Sequence, residues 1–123
     1  MTAEDARRSL GRFGRVLYEQ FAARGWSARR FATESGTTAS FLSAVATGLR
    51  PPPLARLRPW AEQLGLDAVE SEAFVLLGQL AHAPPELARV FDRQLAVLLE
   101  AAAAGVDVEA PELLRLLAAW RAP

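Results

Sequence analysis

Apolar residues recur along this chain at steps of three and four, the spacing that lines one face of an α-helix. No segment alternates as a half-buried strand does. Ala6, Leu10, Phe13, Leu17 and Phe21 form the first stripe, on a helix expected to begin near Ala3 with Thr2 and Asp5 as its cap. Gly11 and Gly14 interrupt it, each at a cost of about 1 kcal/mol against Ala, so its first turns are expected to fray. The stretch Ser27 to Gly48 reads as two short helices, Ala28–Glu34 and Ala39–Thr47, joined by a turn at Gly36. Ser27 and Thr38 carry the hydroxyls that cap a first turn. Trp26 and Phe31 stand at staple spacing around Ser27. Ala32 is small enough for a close helix crossing, and Phe31, Leu42 and Val45 are the positions that clamp the pair to a third helix.

Pro51-Pro52-Pro53 reads as a stiff connector. The next helix is expected from near Pro53 to Gly65, kinked or broken at Pro59. Asp67 and Glu70 make a capping pair for a helix over Ala68–His82. Its Phe74, Val75, Leu76, Leu77 and Leu80 occupy more than one face, so both sides are expected to meet protein. Pro84-Pro85 then breaks the chain. In the helix Pro85–Ala104, the apolar face comprises Leu87, Val90, Phe91, Leu95, Leu98, Leu99 and Ala102, against a wet face of Arg89, Arg93 and Glu100. Pro111 opens a last helix with a stripe of Leu113, Leu116, Leu117 and Trp120.

The spacing of Gly25, Ser27, Phe31, Ala32, Gly36, Thr38, Leu42, Val45 and Gly48 resembles the Cro/repressor-type helix-turn-helix family, the Xre-like and lambda-repressor-like regulators. Pro52, Leu54, Leu57, Trp60, Ala61, Leu64 and Gly65 fit that family's fourth helix. The resemblance covers Phe13 to Leu66. It implies an all-α fold: a five-helix DNA-binding domain over residues 1–66, then a helical dimerisation segment over 67–123. In this family exposed early positions of the recognition helix often carry Gln, Lys or Arg. Here they are Ala39, Ser40, Ser43 and Ala44, and no charged or amide side chain occurs between Gly36 and Leu49. The family also often pairs an Arg with a Glu where this chain has Phe21 and Ala46, an apolar replacement that costs nothing in principle.

Charge changes the picture more than composition does. The net charge is zero, yet residues 1–60 hold ten arginines against four acids, +6, and residues 61–123 hold four against ten, −6. That split suits a basic half facing double-stranded DNA and an acidic half facing a partner. Arg29 and Arg30 stand in the first turn of a helix, where cations are unfavourable unless an anion such as a DNA phosphate arrives. Cysteine is absent and no run spans a bilayer, so a cytoplasmic, nucleoid-associated location is expected. His82 is the only histidine and reads as a helix-end residue favoured by the dipole. No residue set suggests catalysis, a metal or a cofactor.

The expected DNA-binding residues are Ser27, Arg29, Arg30, Thr38, Ala39, Ser40, Ser43, Ala44, Thr47 and Arg50. Phosphates would meet the arginines; Thr38, Ser40 and Ser43 would offer single hydrogen bonds to bases, weaker than a bidentate Arg–guanine pair. A homodimer is expected through Phe74, Leu77, Phe91, Leu98, Leu116 and Trp120. The alternative is a helix-turn-helix kept as a protein–protein module, an antitoxin or adaptor, with weak or no base reading.

Overall fold

A computed structural model describes residues 10–121, and every described element is helical. The helices are α1 (Arg12–Arg24), α2 (Ala28–Ser35), α3 (Ala39–Thr47), a 3-10 turn (Leu54–Arg56), α4 (Leu57–Gln63), α5 (Ala68–Leu80), α6 (Pro85–Ala103) and α7 (Pro111–Arg121). No described helix is long and apolar enough to cross a membrane.

The first helix departs from its expected course. It starts at Arg12, and Leu10 lies outside it; the expected start at Ala3, the cap at Thr2 and Asp5, and Ala6 fall outside the described residues. Gly11 is extended, and its N–H donates to the Ala46 carbonyl of α3 at 2.8 Å instead of joining a helical ladder. Gly14 rests directly on Ala46: a Cβ there would lie 2.0 Å from the Ala46 carbonyl oxygen. These glycines therefore let α1 and α3 touch backbone to backbone. Ala46 faces Gly14, whereas Phe21 stacks on Phe31 at 4.9 Å.

The caps form as their chemistry dictates. Ser27 Oγ accepts the Arg30 N–H and Thr38 Oγ1 accepts the Phe41 N–H, each at 3.0 Å. Gly36 turns left-handed at φ 70°, and the next N–H, of Thr37, returns to the Ala32 carbonyl. Trp26 and Phe31 close the staple at 6.4 Å between ring centroids. Pro59 neither kinks nor breaks a helix. The chain first makes the 3-10 turn, and α4 begins at Leu57, so Pro59 falls in a first turn whose N–H groups have no helical acceptor anyway. Asp67 and Glu70 form a reciprocal capping box for α5. That helix ends at Leu80, two residues short of His82. The His82 ring donates from Nε2 to the Pro52 carbonyl at 2.6 Å, pinning the proline connector to the end of α5 rather than serving the helix end.

One core runs through the chain. Phe13, Leu17, Phe31, Leu42, Trp60, Phe74, Leu95 and Leu117 belong to the same buried cluster. Phe13 stacks on Phe74 at 5.0 Å and Phe31 meets the edge of Trp60 at 5.6 Å. The boundary expected at residue 66 therefore does not divide the packing: α5 lies against α1 and α4 and completes their core. Two of the expected dimer contacts fail for this reason. Phe74 is 0% and Leu77 2% exposed, so neither reaches a second chain. Phe91, Leu116 and Trp120 are part-covered by the same core, and of the six only Leu98 is open to solvent.

Candidate nucleic-acid interface

The α2–α3 pair presents one face outward because its other face is fully used. Phe31 and Ala32 of α2, with Leu42, Val45 and Ala46 of α3, turn into the core. The helical period then leaves Ala39, Ser40, Ser43 and Thr47 exposed on α3, with Ala44 half-buried at the edge. Not all of these hydroxyls are equally available. Thr38 Oγ1 already accepts the Phe41 N–H, and Thr47 Oγ1 donates to the Ser43 carbonyl at 3.0 Å. Ser40 and Ser43 have no side-chain partner among the described residues. They are the two hydroxyls free to meet a ligand in full.

The arginines also separate. Arg30 is held within the chain: its Nε bonds Glu34 Oε1 at 3.3 Å and its guanidinium lies 4.7 Å from the centre of the Trp26 ring. Its neighbour Arg29 is exposed and forms no ion pair among the described residues. Arg50 follows α3; its N–H donates to the Ala44 carbonyl at 3.1 Å and its guanidinium lies 5.5 Å from the Phe41 ring centre. Ser27 is exposed but its hydroxyl is spent as the cap. Arg56 Nη1 donates to the Ser35 carbonyl and Gln63 Nε2 to the Glu34 carbonyl, so both brace the end of α2. On α1, Arg12 grips Asp92 of α6 through two bonds of 3.2 and 3.1 Å, which makes it a tie between helices.

Two features beside the pair did not emerge from the sequence pattern. Leu49 follows Gly48 at the end of α3 and is 83% exposed, a large apolar side chain at the rim of a polar face. A cleft of about 340 Å³ opens between the start of α1, the end of α3 and the α5–α6 junction, with Gly11, Arg12, Arg50, Pro51 and Ala88 among its walls. Among the described residues Arg12 and Arg50 line it, and no acid, cysteine or histidine does. Among the described residues no group of three acids or histidines could hold a metal.

The face as built offers hydroxyl groups, which donate or accept hydrogen bonds, beside arginine charge. Residues 35–61 contain no acid at all. No family model, no curated protein and no solved structure matches this chain.

Proposed function

We propose that this chain is a non-enzymatic transcriptional regulator with a lambda-repressor-like helix-turn-helix. It binds double-stranded DNA as a homodimer on a near-palindromic site, in the cytoplasm at the nucleoid. The observation that carries the reading is the outer face of α3, small, exposed and uncharged, with exposed Arg29 and Arg50 at the two ends of the α2–α3 stretch and no acid in residues 35–61. Small side chains let a helix lie deep in the major groove. Ser40 and Ser43 supply single hydrogen bonds there, and Ala39 and Ala44 offer methyl groups to thymine. Phosphate attraction supplies most of the affinity, and DNA shape supplies much of the selectivity.

The test is a gel-shift series with the full chain against the DNA flanking its own gene, at rising salt. Binding should weaken with salt, and Arg29→Ala with Arg50→Ala should weaken it on every sequence and flatten the salt slope by about one unit per lost phosphate contact. Arg30→Ala should cost less, because Arg30 is already engaged by Glu34 and Trp26. A chain that binds no DNA at low salt overturns the reading.

The exposure of Leu49 favours a second reading. An exposed large apolar side chain suits a protein surface better than a phosphate backbone. On that reading the helix pair is an adaptor or antitoxin surface, and Leu49→Ser abolishes capture of the partner while leaving any DNA binding unchanged.

A further inference from the structure

Helix α6 is the longest in the fold, with 19 residues, and buries only one of them, Leu95. Phe91 and Leu99 lean on the core from the same side. A second apolar strip runs beside that one. Leu87, Val90, Gln94, Val97 and Ala101 follow at steps of three and four, with Leu98 beside them. Four of them are large and open: Leu87 57%, Val90 41%, Val97 58% and Leu98 40% exposed. No described element of the chain covers this strip.

The charges along its edge say what does. Arg93 and Glu100 stand seven residues apart, two turns, on the same border of the strip. Both are exposed, and neither forms an ion pair among the described residues. In a parallel pairing of two α6 helices the opposite border, with Phe91 and Leu98, would face them and offer no charge. In an antiparallel pairing each border meets its own copy. With the two-fold axis near Ala96, Arg93 then falls against Glu100 of the second copy, twice by symmetry. The same register sets Val90 against the alanines at the C-terminal end of the second helix and brings Val97 of the two copies close to the axis.

We infer that the exposed strip of α6 is the dimer interface of this protein, closed by a second α6 running antiparallel with Arg93 facing Glu100 of the other copy. This deepens the homodimer of the proposed function, and it is tested without DNA, so its failure and the failure of DNA binding are read separately. The measurement is sedimentation equilibrium of the full chain at tens of micromolar, with circular dichroism to report folding. The native chain should be a dimer. Val97→Glu should be a folded monomer, since position 97 takes no part in the monomer core. Arg93→Glu should weaken association by about tenfold or more, and Arg93→Glu with Glu100→Arg should restore it. A monomeric native chain, a Val97→Glu chain that stays dimeric, or a double charge swap that fails to restore what the single swap lost would each overturn the inference; in the last two cases the dimer itself stands on another face.

Discussion

Helices α5 and α6 look alike as sequences and end in different places. Both belong to the acidic half, both are rich in Leu, Val and Phe, and both were expected at a dimer interface. In the structure α5 buries Ala73, Phe74, Val75, Leu77 and Gly78 within 13 residues, while α6 buries Leu95 within 19. The difference lies in distribution. Apolar residues on α5 cover all of the helix but a narrow stripe, where Ala68, Glu72 and Gln79 are exposed, and a helix that is apolar on most sides must be largely enclosed. Those on α6 spread over an arc wider than one neighbour can cover, so part of the arc meets the core and part meets water. An apolar helix is thus a stronger signal for the interior than an amphipathic one of equal length. The amphipathic one, wider than its contact, is the signal for a partner.

Four substitutions would break or sharpen that contrast. Phe74→Ala should cost about 3–5 kcal/mol in denaturant unfolding, because it empties the ring stacked on Phe13 at the centre of the core. A loss under half of that would remove α5 from the core. Gly78→Ala should cost about 1–3 kcal/mol, since its Cβ would lie 2.3 Å from a Leu57 methyl and the flexible side chain must give way. Arg12→Ala releases the tie between α1 and α6. With side chains 32% and 24% exposed, the pair with Asp92 is screened, and about 0.5–1 kcal/mol is expected, falling further in high salt. The smallest effect should come from Val97→Ser, whose monomer stability should stay within about 0.5 kcal/mol of the native chain. Any larger loss in a monomeric background would show that the strip packs within the chain.

Much of the fold was legible from local chemistry. Ser27, Thr38 and the Asp67–Glu70 pair each announced a helix start, and Gly36, Gly48 and Gly65 each announced an end, because caps and left-handed turns are decided by neighbours in sequence. What could not be read was set by contacts across the chain. Gly14 looked like a weak point in α1, and is where α3 lies against it. His82 looked like a helix-end residue and instead holds the Pro52 carbonyl thirty residues away. The boundary at residue 66 followed from the family pattern, and nothing local revealed that Phe74 completes the core before it. On the candidate interface, helical period alone placed Ala39, Ser40, Ser43 and Thr47 outward. It could not tell that Arg30 is engaged by Glu34 and Trp26 while Arg29 is open.

The most direct test is selection of DNA from a random pool by the full chain at low salt. The account predicts recovery of near-palindromic sites with half-sites about one helical turn, roughly 34 Å, apart. Their enrichment should be lost with Arg29→Ala and Arg50→Ala, and Val97→Glu should reduce them to single half-sites. A pool that emerges without any enriched sequence, from a chain shown to be folded, would contradict it.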